Sequence, residues 1–240
     1  MKTKSKALLL TLCAVLLVAA SVLGTMAYLT STDTVTNTFT VGKVEIKLDE
    51  TDVTNPNGPR VKANSYKLMP GTTYTKDPTV TVKAGSEESY VRMKVTFNNA
   101  TKIIALCTDP EYADEVTGAE NAFPLIRMVN YTDTAELYWD GLLLDNMFET
   151  EEMLAMPKYF AYDKTADTLT YYFYYKVTVS GAEGDVVLPA LFNSITVPEW
   201  VTGEQLKALN DFRITVVAEA IQAGSFANAD KAWEAFAPQP

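Results

Sequence analysis

The run "TLTYYFYYKVTVS", residues 168–180, limits the fold more than any other stretch of the chain. Leu169, Tyr171, Phe173, Tyr175, Val177 and Val179 occupy every second position, with Thr170, Tyr172, Tyr174, Lys176 and Thr178 between them. A period of two sends the first set to one face of a strand and the second to the other. Aromatic and β-branched residues suit a pleated sheet better than a helix. One strand cannot bury such a face by itself, so the run demands neighbouring strands and an opposing layer. The all-Tyr part of the second face reads as cross-strand packing against another layer, or as an aromatic platform for sugar.

Further segments show the same period. Residues 38–49 set Val44, Ile46 and Leu48 against Lys43, Glu45 and Lys47. Residues 79–83 form a short strand, and 90–97 a longer one with Val91, Met93, Val95 and Phe97 on one face. The polar connection between these two, with Gly85 in it, predicts an antiparallel hairpin with a longer loop. Strands are also expected at 126–131, 136–139, 194–197 and 212–223. "NPNGP" within residues 51–60 reads as an exposed loop.

Helical signals are few and short. Thr202 is placed as N-cap of "TGEQLKALN", and Asn228 as the cap of "NADKAWEAF", with Trp233 and Phe236 on one side. A third short helix is expected between Gly141 and Pro157. No β-α-β rhythm and no internal repeat is present. The predicted fold is therefore mainly β, an antiparallel β-sandwich with short helical insertions.

The start of the chain has a different composition. Lys2, Lys4 and Lys6 precede an apolar run over residues 7–23, and Thr25-Met26-Ala27 offers small residues at a cleavage position. This is the layout of a secretory signal helix, residues 1–27, cut before Tyr28. The apolar run is nearly long enough to span a bilayer, so an uncleaved anchor is the alternative. The domain plan expected is a signal peptide at 1–27, an N-terminal strand at 28–42, and one sandwich at 43–240 with an insertion around 101–160.

Residues 28–40 are rich in Thr and hold no Pro. They suit an extended conformation and are too polar to form a core. Leu29, Val35 and Phe39 have one parity and would enter shallow pockets if the segment paired with an exposed edge. Pairing within its own subunit, or a free terminus, are the alternatives.

The sequence excludes several chemistries. There is no His, which removes the commonest general base and zinc ligand. Of the two cysteines, Cys13 lies in the leader, so the processed chain forms no internal disulfide. Cys107 follows an apolar run and reads as a core thiol. A formal net charge of −10 repels phosphate backbones, so no nucleic-acid partner is expected. No cofactor motif is present. Asp140, Asp145 and Glu149, with Glu151 and Glu152, form the densest acidic group. They read as a solvated face, with a carboxylate-only metal site as the alternative.

The N-terminal residues Gly24, Ala27, Tyr28, Asp33, Asn37, Thr38, Phe39, Gly42, Val44, Ile46 and Leu48 resemble the signature of proteins exported through a SipW-type signal peptidase, the TasA/camelysin family. Leu68, Pro70, Gly71 and Lys76 are similar to a second family segment, and the closing strand with its Gln tail to a third. Residues 101–159 carry no resemblance. It implies a jelly-roll-like sandwich, secretion to a Gram-positive cell surface or biofilm matrix, and assembly into extracellular fibres. In that assembly the processed N-terminus acts as donor strand to another copy or a related matrix subunit, with Thr25, Ala27 and Tyr28 at the cut. It implies Asp33 and Asn37 as members of the assembly strand beside Leu29, Val35 and Phe39. Membrane contact runs only through the uncleaved leader. Two alternatives remain open: a camelysin-like surface metalloendopeptidase, and a monomeric adhesin or carbohydrate-binding protein.

Overall fold

The computed structural model describes residues 6, 10–18, 42–107, 129–131, 135–141 and 156–236. The chain divides into two units, Met1–Val41 and Gly42–Pro240. In the first, residues 10–18 form a helix, α1, with Leu10, Leu12, Val15, Leu16, Leu17 and Val18 all exposed. Among the described residues no helix is long and apolar enough to cross a membrane.

The second unit is mainly antiparallel β with few short helices. Its strands are β1 (Ile46–Asp49), β2 (Thr73–Thr75), β3 (Thr79–Val82), β4 (Ser89–Asn98), β5 (Val129–Tyr131), β6 (Trp139–Asp140), β7 (Phe160–Asp163), β8 (Thr168–Tyr175), β9 (Val186–Val187), β10 (Phe192–Thr196) and β11 (Ile214–Gln222). The helices are α2 (Ala100–Cys107), α3 (Ala135–Tyr138), α4 (Gly203–Ala208) and α5 (Ala229–Ala235). The largest sheet runs β11-β4-β8-β6, with β7 also on β8. Two three-stranded sheets run β1-β3-β9 and β2-β10-β5.

Alternation in β4 buries Val91, Met93, Val95 and Phe97 against Leu169, Tyr171 and Phe173 of β8. Val80 and Val82 of β3 and Phe192 and Ile195 of β10 join the same core, so all three sheets share it. Each such side chain contributes about 1.5–3 kcal/mol through its burial. On the other face of β4, Thr96 and Thr170 are hydrogen-bonded at 2.9 Å.

The expected hairpin between residues 79–83 and 90–97 does not form. β3 pairs with β1 and β9, whereas β4 pairs with β8 and β11. The connection turns at Gly85, whose φ of +76° lies in the left-handed region, and hands the chain from one sheet to another. Gly181 holds that corner: its N–H donates to Ser86 O at 3.0 Å and its carbonyl accepts from Gly85 N at 2.8 Å. A Cβ at Gly181 would sit 2.1 Å from Lys83 O, so no larger residue fits.

The long strand expected over 168–180 ends early. If the Arg92–Tyr174 register continued, Ser89 would face Val177; it bridges Val179 instead. Two extra residues bulge out, and Val177 is 60% exposed rather than buried with its parity set. The segment 136–139, expected as a strand, is instead α3 followed by β6. α2 was given no helical signal by the sequence.

The loop over residues 51–60 is largely exposed, as its Pro and Asn-Gly predict, but Arg60 fastens it. Its Nε donates to Asp49 at 2.7 Å, Nη1 to Asp77 at 2.9 Å, and Nη2 to the Asp77 carbonyl at 2.7 Å and Thr79 Oγ1 at 2.9 Å. Burial pushes the Asp49 carboxyl up, but hydrogen bonds from Lys47 and Arg60 outweigh it and hold the group below its ordinary range. Asp77 is likewise lowered: burial opposes, while Thr51 and Arg60 prevail.

Candidate strand-accepting edge

β11 is antiparallel to β4 over its whole length, from Ile214 facing Phe97 to Gln222 facing Ser89. It holds no proline and no bulge in that register. Ile214, Val216, Ala218 and Ala220 pack against the core. Thr215, Val217 and Gln222 are exposed. Among the described residues no strand pairs along the other side of β11. β1 is its neighbour in space, yet no ladder joins them. A long regular edge of this kind presents backbone N–H and C=O groups to any extended segment that reaches it.

The outer face of the same sheet is braced by a charged cluster. Glu219 of β11 accepts from Arg92 Nε at 2.6 Å, and its other oxygen pairs with Lys94 Nζ at 2.6 Å. The Glu219 side chain is 8% exposed and that of Arg92 13%. α5 covers them, started by Asn228, whose side chain accepts from Lys231 N at 3.0 Å. Trp233 and Phe236 then lie over the Arg92 guanidinium, at 4.3 and 5.1 Å to the ring centres. Tyr172 and Tyr174 complete the surround at 5.3 and 5.9 Å. Such stacking of a guanidinium on aromatic faces is favourable where water is displaced.

The Tyr face of β8 is thus packed under a helix. Tyr174 meets the Trp233 ring edge-on at 5.9 Å and donates to Lys158 O at 2.8 Å. Burial pushes its phenol up, against the opposing pull of Arg92 and Lys158.

Sequence reasoning missed Arg92, Lys94 and Glu219 as a group. The signal was there: Glu219 is the one charge in "ITVVAEAIQ", and a lone acid in an apolar strand needs a cation beside it.

Most residues singled out from the sequence lie outside the described residues. These are Thr25, Ala27 and Tyr28 at the cut, Leu29, Asp33, Val35, Asn37 and Phe39 of the assembly strand, and Asp145 and Glu149. So do residues 142–155, where a helix was expected. Asp140 is described. Its carboxylate accepts from the Tyr159 hydroxyl at 3.2 Å and faces Lys158 Nζ at 3.5 Å. Among the described residues no group of three His, Cys, Asp or Glu is placed to hold a metal ion.

No family model matches this chain, and no curated protein or solved structure matches it.

Proposed function

We propose that this chain is a secreted structural subunit of cell-surface or biofilm-matrix fibres, and not an enzyme. Residues 28–40 are released when a SipW-type signal peptidase cuts after Ala27, and they add as a strand to β11 of a neighbouring copy. The observation that carries this proposal is the edge of β11: nine residues, proline-free, fully in register with β4, and unpaired on its other side among the described residues. The resemblance of the N-terminal residues to the TasA/camelysin signature supplies the donor. The finer fold belongs to the same proposal: a jelly-roll-like sandwich, with the large sheet as one layer and the two small sheets in the other.

The fibre subunit needs no cofactor and binds no nucleic acid. Its partners are copies of itself or related matrix subunits. Polymerisation of protein beginning at Tyr28 is compared with protein beginning at Val41. The longer form is expected to build filaments visible by negative stain, and the shorter to remain as particles. Equal filaments from both overturn the proposal. Casein cleavage abolished by a chelator would instead favour the metalloendopeptidase.

A further inference from the structure

Glu50 follows β1 and is 5% exposed, and Lys76 follows β2 and is 8% exposed. Lys76 Nζ donates to Glu50 Oε2 at 2.7 Å. Glu50 Oε1 accepts from the side-chain amide of Asn64, Nδ2, at 3.0 Å. One buried carboxylate therefore touches an amine and a carboxamide at once. The amide orientation is fixed by its other bonds. Nδ2 also donates to Thr51 O at 2.8 Å, and Oδ1 accepts from the Val53 backbone N–H at 3.0 Å. The backbone is pinned as well. Glu50 and Val61 exchange two hydrogen bonds, at 2.9 and 2.8 Å, and Lys76 N donates to Asn193 O at 3.1 Å. Tyr66 lies beside the group, its ring edge-on to Tyr74 at 5.8 Å. Burial, and then the Glu50 charge, push the Tyr66 phenol well up.

A buried Lys–Glu pair alone is weak evidence of stabilisation. The third member gives it chemistry. An amine is a nucleophile once it loses its proton, and a primary amide is an acyl donor if its oxygen is stabilised and its nitrogen protonated. We propose that Lys76 and Asn64 form an intramolecular amide cross-link within the folded chain, with Glu50 carrying the protons.

The steps balance without any co-reactant. Glu50 takes a proton from the Lys76 ammonium. The freed Nζ lone pair attacks Asn64 Cγ, and charge gathers on Oδ1, where the Val53 N–H already points. Glu50 returns its proton to Nδ2, the Cγ–Nδ2 bond breaks, and ammonia departs with the proton that Nζ sheds. The product is an Nζ–Cγ amide and ammonium, with the Glu50 carboxylate restored. Both reactants are held on one carboxylate, which replaces a bimolecular encounter by a positioned one. The link would close a loop over residues 64–76, which contains the Pro70-Gly71 turn.

The purified full chain is denatured, weighed by intact-mass spectrometry and digested with trypsin. The expected mass is lower than the sequence requires by one ammonia, and residues 63–67 emerge joined to residues 68–83, uncut at Lys76. Lys76→Arg keeps a cation against Glu50 but has no reactive amine; it is expected to fold and keep its full sequence mass. Glu50→Gln keeps both reactants and loses the proton carrier, so cross-linking is expected to slow by about 10²-fold or more. Three results overturn the proposal. Wild type has its full mass, with residues 63–67 and 68–76 released separately. The ammonia loss persists in Lys76→Arg, which assigns it to an asparagine succinimide. Glu50→Gln cross-links as fast as wild type.

Discussion

The Arg92 guanidinium carbon lies 4.3 Å from the centre of the Trp233 ring, so the C-terminal helix sits on the outer face of the large sheet through a cation. The same Arg92 donates to Glu219 on the edge strand. One side chain thus ties α5, β4 and β11 together. Trp233→Ala removes the cover and is expected to cost about 2 kcal/mol. Urea unfolding checks the magnitude.

Glu219 has two cations on its two oxygens. Glu219→Ala leaves Arg92 and Lys94 near one another with no acid between them, and is expected to cost about 3–5 kcal/mol. Lys94→Met removes one of the two cations from a more exposed position and is expected to cost about 1 kcal/mol. Thermal unfolding of the two variants should rank them in that order. Equal losses would mean that Glu219 acts only by filling space.

Acid should loosen the loop that Arg60 fastens. Asp49 and Asp77 both have carboxyls held below the ordinary aspartate range in the folded chain. A lowered folded value contributes stability that is complete above the unfolded value and is lost as pH falls through the folded one. Unfolding free energy is therefore expected to hold down to about pH 5 and to drop below about pH 4. Arg60→Met should be less stable than wild type at neutral pH, with the gap closing in acid. Urea midpoints at a series of pH values test this.

If β11 accepts a donor strand, charge on its exposed positions should block the approach. The pair Thr215→Lys and Val217→Lys points away from the core and should leave the melting temperature within a few degrees of wild type. Filament growth of the processed protein is expected to fall about tenfold or more. Light scattering at matched concentration measures it, and undiminished growth would place the accepting edge elsewhere.

What the sequence reveals here is local. The two faces of β4 and β8, the Thr202 and Asn228 caps, and the exposed loop before Arg60 each follow from residues a few positions apart. Thr202 caps its helix as expected, and the structure adds a full capping box with Gln205. Partner choice is not local. Nothing in residues 79–97 says that β3 belongs with β1 and β9, because an antiparallel strand accepts any neighbour of matching pattern. α2 was hidden for a related reason. Its first turn is satisfied by Asp167, which accepts from Thr101 N at 2.7 Å and from Ala100 N at 3.1 Å. That cap lies far along the chain, while the nearby cap-type residue Asn99 has a positive φ of 56° and its side-chain amide donates to Asn210 O at 3.2 Å. Asp49 breaks the alternation of β1 by being buried, and Glu50 puts an acid on its inward parity just past the strand; only their distant partners, Arg60 and Lys76, explain these two buried acids. For the candidate edge, the long apolar strand was readable, but its position at the rim of a sheet was not.

The β4–β11 ladder also has a mechanical meaning. Its facing pairs run without interruption from Ile214–Phe97 to Gln222–Ser89, and β4 is held on its far side by β8. A force applied along the axis of β11 loads these pairs in parallel, as shear. They must yield together and cannot be unzipped one after another from an end. Tension entering at the rim is passed sideways into the middle of the sheet, where the chain is best anchored.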